Sequence, residues 1–88
     1  VQRIVRQNFG RFRMCYQQGL ARNPTLEGRI PVRFVISRDG AVSSVSTPGG
    51  FPDAGVQSCV QSAFYGLSFP QPDGGVVTVT YPLMFSPS

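Results

Sequence analysis

Between residues 28 and 47 the chain alternates between apolar and polar or surface-tolerant positions. Ile30, Val32, Phe34 and Ile36 fall on one side and Arg29, Pro31, Arg33 and Val35 on the other. Period two is the mark of a strand with one covered face. Asp39-Gly40 follows, a pair suited to a tight turn because Gly takes positive φ at no steric cost. Val42 and Val45 come next, and their odd spacing predicts a bulge near Ser43-Ser44 on the return strand. A hairpin alone is not stable in water, so the flanking segments must cover its apolar face.

Residues 3–21 carry a helical period. Val5, Phe9, Phe12, Tyr16 and Leu20 make one stripe flanked by Ile4 and Cys15, while Arg3, Arg6, Arg13, Met14 and Gln17 fall opposite. Gly19 lies on the inward side, where it permits close approach of another element. Asn23-Pro24 stops the helix, since Pro disfavours helical geometry in the residue before it. After the hairpin, 47–50 reads as a loop and Pro52-Asp53 opens a second helix with Asp53 as its cap. Val56, Cys59, Val60, Ala63, Phe64 and Leu67 are its apolar side, and Gly66 marks its end. The connector 69–75 is rich in turn residues, and Phe69 is placed to tuck beneath it. Residues 76–85 form the last strand, with Val77, Val79, Tyr81, Leu83 and Phe85 on one face.

The order is therefore α-β-β-α-β, an α+β two-layer fold. The first two strands pair as a hairpin, and a right-handed crossover returns the third to the far side of the first. The sheet is antiparallel throughout in the order 2-1-3. Both helices cover the face of Phe34, Ile36, Val79 and Tyr81. This topology leaves the last strand with one open edge.

At 88 residues the chain makes a single small domain, 1–88, with a marginal core. No apolar run is long enough to span a bilayer and no signal peptide is read; the sequence opens directly on a helical pattern, so a piece of a longer protein is expected. Cys15 and Cys59 are the only cysteines and form neither a CxxC pair nor a metal cluster. If both helices lie on one face, the sulfurs can meet. A disulfide closing a loop of about 45 residues would add roughly 4 kcal/mol and imply an oxidising compartment. Two free buried thiols are the alternative.

The chemistry available is narrow. There is no His to act as base or ligand and no Lys, and the four carboxylates include turn positions Asp39 and Asp73. An enzyme is not expected, nor a small-molecule substrate, cofactor or metal. The net charge of +4 comes from eight basic residues, all Arg. No nucleic acid is expected, because Phe34 and Tyr81 fall on the helix-facing side and no RNP-type aromatic pattern appears. A solvated basic face is the plainer reading. What remains is the last strand. Val76, Val77, Thr78, Val79, Thr80 and Tyr81 have high β propensity and no charge, and only Pro82 blunts them. Such an edge accepts an extended segment of another protein, or a second copy of itself.

The residues Cys15-Tyr16, Leu20, Asn23-Pro24, Leu26 and Gly28, then Val32, Phe34, Ile36, Gly40 and Val42, then Val56, Cys59-Val60, Phe69-Pro70, Pro72, Gly74-Gly75, Tyr81-Pro82 and Phe85 resemble a known family. It is the AgmX/PglI C-terminal domain, a TonB C-terminal-like family of deltaproteobacteria. Gln17 departs from an acidic residue there, and Leu67 from an aromatic. The resemblance implies the periplasmic end of a protein anchored in the inner membrane. It implies coupling of an ion-driven motor to an outer-membrane or periplasmic envelope partner, in gliding motility. It further implies that 76–81 bind a short extended partner segment, and it favours the Cys15–Cys59 disulfide over free thiols.

Overall fold

The computed structural model describes residues 2–87. The first helical pattern is realised as two pieces, α1 (Gln2–Gln7) and α2 (Phe9–Arg22). They are followed by β1 (Gly28–Ile36), β2 (Val42–Ser46), α3 (Ala54–Tyr65) and β3 (Val77–Phe85). The single helix expected over 3–21 breaks at Asn8. There the side-chain Nδ2 donates to the Ile4 carbonyl at 2.9 Å while the backbone N–H is shared between Ile4 and Val5. A short amide side chain competing for backbone groups is a known helix interrupter, and the apolar period runs on unbroken across it.

The three strands form one antiparallel sheet in the order β2-β1-β3, as the pattern predicts. In the β1–β2 pair, Val35 faces Ser44 but Ile36 faces Val42, so Ser43 is the extra residue of a bulge. This is where the broken alternation places it. Gly40 turns the hairpin at φ +89°. A Cβ there would lie 2.0 Å from the Phe69 carbonyl oxygen, and the Phe69 N–H donates to the Gly40 carbonyl at 2.9 Å. Only glycine lets the connector close against the end of the hairpin in this way.

Ile30, Val32, Phe34 and Ile36 are buried under the helices, as are Val56, Val60 and Phe64 from α3 and Phe12, Cys15 and Tyr16 from α2. Phe12 stacks on Phe64 at 4.7 Å between centroids, and Phe69 stacks on Phe34 at 5.6 Å. Phe69 thus tucks beneath the connector as expected. The α2 stripe is rotated from the expected one. Phe12, Cys15, Tyr16 and Gly19 are buried, whereas Phe9 and Leu20 are only partly so. The cause is the close contact with α3. A Cβ on Gly19 would meet Val56 at 2.5 Å and Leu26 at 2.6 Å, so the helices approach along the line of Gly19.

Cys15 and Cys59 form a disulfide that joins the middles of α2 and α3, with Cα atoms 5.6 Å apart. A second tie runs from Arg22 at the end of α2 to Asp53, which caps α3. Asp53 accepts from the Val56 N–H at 3.0 Å and from the Arg22 guanidinium at 2.8–3.2 Å. These donors, Arg22 first, hold its carboxyl below the usual value of 3.8.

Candidate functional site: the open edge of the sheet

Strand β3 lies at one edge of the sheet and β2 at the other. The two edges are treated differently. On β2, the Val45 N–H donates to the Tyr65 hydroxyl at 3.2 Å. Ala41 bridges to Ser68, and Gln61 and Gln57 reach Thr47 and Gly49 in the loop that continues β2. The end of α3 and the start of the connector therefore screen that side. Among the described residues, no hydrogen bond reaches the outer edge of β3 from elsewhere in the chain. An edge left unscreened is a template for an added strand.

Two prolines reveal which backbone groups that edge presents. Pro31 and Pro82 stand directly opposite each other in the β1–β3 pair. Neither has an N–H, so theirs is a pair that exchanges no hydrogen bonds. Antiparallel pairs alternate, so Val32↔Tyr81 and Phe34↔Val79 are the bonded pairs, and Arg33↔Thr80 and Val35↔Thr78 are not. On β3 the N–H and C=O groups of Thr78, Thr80 and Met84 therefore point outward, as does the carbonyl of Pro82. The same alternation turns the Val45 N–H away from β1, which is where Tyr65 meets it. Pro82 is tolerated because its ring nitrogen faces out of the sheet.

The side chains divide the same way. Val77, Val79, Tyr81, Leu83 and Phe85 share the helix-side face with their β1 partners. Their burial grows along the strand: Val77 is exposed, Val79 and Tyr81 are half-buried, and Leu83 and Phe85 are buried. The helices thus cover Phe34 and Ile36 fully but Val79 and Tyr81 only in part, because α2 lies over the Phe85 end. Tyr16 of α2 stacks on Phe85 at 4.7 Å. Thr78 and Thr80 are on the open face, and Val76 falls outside the strand, which begins at Val77. The six-residue edge read from the sequence is thus a five-residue one, from Val77 to Tyr81, with Val76 exposed just before it.

A groove adjoins the end of this edge. Its volume is about 470 Å³, and its walls are Phe9, Arg13, Tyr16, Gln17 and Leu20 of α2 against Met84, Phe85, Ser86 and Pro87. The sequence pattern set Arg13 opposite the apolar stripe. The spacing 9, 13, 16, 20 instead puts it in one row with Phe9, Tyr16 and Leu20, on the exposed flank of that stripe. The Arg13 guanidinium lies 5.6 Å from the centroid of the Phe9 ring. The Tyr16 hydroxyl donates to the Leu26 carbonyl, and burial first, then the charge of Glu27, pushes its ionisation above the usual value. The sequence signals for this groove were the half-covered flank of the α2 stripe and the apolar residues after Pro82, neither sufficient alone.

No family model and no curated protein matches the chain. Two solved structures do. A solution NMR structure of the Pseudomonas aeruginosa TonB CTD matches with a TM-score of 0.59 at 24% identity, over 77% of this chain and 73% of that one. The NMR solution structure of Helicobacter pylori TonB-CTD (residues 179–285) gives 0.56 at 20% identity, over 91% and 80%. At such identities the likeness establishes the fold. It is the α+β arrangement of a TonB C-terminal domain, with the sheet order β2-β1-β3 expected from the α-β-β-α-β topology.

Proposed function

We propose that the chain is a non-enzymatic periplasmic interaction module that binds an envelope protein by adding an extended partner segment to β3. One observation carries this reading: the β3 edge turns uncharged, unscreened backbone groups outward at Thr78 and Thr80, while the β2 edge is screened by Tyr65. The likeness to TonB C-terminal domains and the Cys15–Cys59 disulfide, which needs an oxidising compartment, support it. The resemblance to AgmX/PglI C-terminal domains extends the proposal. The domain, spanning 1–88, then belongs to a protein anchored in the inner membrane and couples a motor there to the outer envelope in gliding motility.

The test uses peptides selected from a displayed library of random 12-residue sequences. In NMR titrations, amide shifts are expected to concentrate on 77–81; shifts confined to α1 and α2 reject the surface. Self-pairing through the same edge is the second reading, favoured by its lack of any charge. Sedimentation over a concentration range separates the two, since self-pairing gives a dimer without peptide.

A further inference from the structure

We propose that the groove between α2 and the end of β3 reads the partner's side chains, selecting a segment that carries an apolar residue next to a carboxylate. This rests on strand addition at β3. Phe9, Arg13 and Leu20 lie along one row of α2, so the Arg13 cation stands between apolar side chains, with the polar Gln17 beside it. Met84 and Pro87 continue the apolar surface on the other side, and Met84 is 68% exposed. Arg13 is the one charged residue of the groove. Among the described residues it has no carboxylate partner, the only ion pair being Arg22–Asp53. With a net charge of +4, the domain favours an acidic segment over a basic one.

The groove lies beyond the edge on the same strand, because Met84 belongs to β3 and lines the groove. A strand laid along β3 must pass its mouth, and alternate side chains of that strand turn toward the helix layer, as Val79 and Tyr81 do. Its size suits a few side chains, not a folded element. One apolar side chain would lie against Phe9 or against Leu20, which flank Arg13 along α2. A neighbouring carboxylate would take the fork of Arg13, and the amide of Gln17 adds a donor beside it.

The experiment measures binding of fluorescent peptides taken from the random 12-residue library to three proteins: the unchanged domain, Arg13→Glu and Thr80→Pro. Selected sequences are expected to share an acidic residue near a Phe, Leu or Ile. Arg13→Glu should weaken them at least tenfold, and replacing the peptide's acidic residue with Lys should restore binding to that variant. Thr80→Pro should abolish both, because it removes an outward N–H. If Thr80→Pro abolishes binding but Arg13→Glu leaves it unchanged, the groove proposal fails and the edge reading stands. Should Arg13→Glu act while Thr80→Pro does not, no strand is added at β3 and both fall. Both also fall if no peptide binds, and a consensus of basic residues overturns the groove proposal.

Discussion

Removing the cross-link between α2 and α3 is expected to cost about 4 kcal/mol. Cys15 and Cys59 are separated by 44 positions. Closing a loop of that length takes about 13 cal/mol/K from the unfolded chain, which is about 4 kcal/mol at 25 °C. The Cα separation of 5.6 Å lies within the ordinary range for a disulfide, so the folded backbone is not displaced by the bond. A domain of this size has a total stability of about 4–13 kcal/mol, so the cross-link is a large share of it. Urea unfolding followed by circular dichroism would compare the oxidised domain, the reduced domain and Cys15→Ala/Cys59→Ala. The reduced domain isolates the loop effect. The double variant adds the loss of a buried side chain, since Cys15 is 3% exposed, for roughly a further 1 kcal/mol. The urea slope should also rise without the bond, because the open chain exposes more surface. A reduced domain within about 1 kcal/mol of the oxidised one refutes the loop-closure reasoning.

Gly40→Ala should destabilise by at least about 2 kcal/mol, since it combines a positive φ with a Cβ placed against the Phe69 carbonyl; thermal melting reads it. Tyr65→Phe should cost about 1 kcal/mol and speed hydrogen exchange at the Val45 amide, because the hydroxyl there is its acceptor. Asp53→Asn keeps a cap but loses the charge that Arg22 holds. The folded-state value of Asp53 is depressed, so its contribution is complete above the ordinary 3.8 and disappears as pH falls through the lower folded value. The stability gap between the domain and Asp53→Asn should therefore close over that acid range and be flat above pH 5; a gap that widens in acid contradicts the ion pair.

The sequence pattern was most informative where local chemistry and packing agreed. The period-two run of Ile30, Val32, Phe34 and Ile36, the Asp39-Gly40 turn, the bulge near Ser43 and the Asp53 cap all appear where expected. Strand order followed from topology. Asn8 broke the first helix because its side chain competes locally, and periodicity is blind to that. The rotation of α2 was hidden because it depends on how closely Gly19 lets α3 approach, a property of two elements together. Arg13 was set opposite the apolar stripe although its spacing from Phe9 and Leu20 already puts it beside them, on the exposed flank that lines the groove. The screening of β2 by Tyr65 depends on where a helix ends relative to a distant strand. The outward register of Thr78 and Thr80 needed the pairing of Pro31 with Pro82, which only the folded sheet supplies.

Amide hydrogen exchange along β3, with and without a library-selected peptide, tests the central claim most directly. In the free domain Val79 and Tyr81 should be protected by β1, while Thr78 and Thr80 exchange quickly. Peptide should slow Thr78 and Thr80 toward the rates of Val79 and Tyr81, so that the alternation along β3 disappears. Fast exchange at Thr78 and Thr80 in a saturated complex would mean that the partner does not join the sheet.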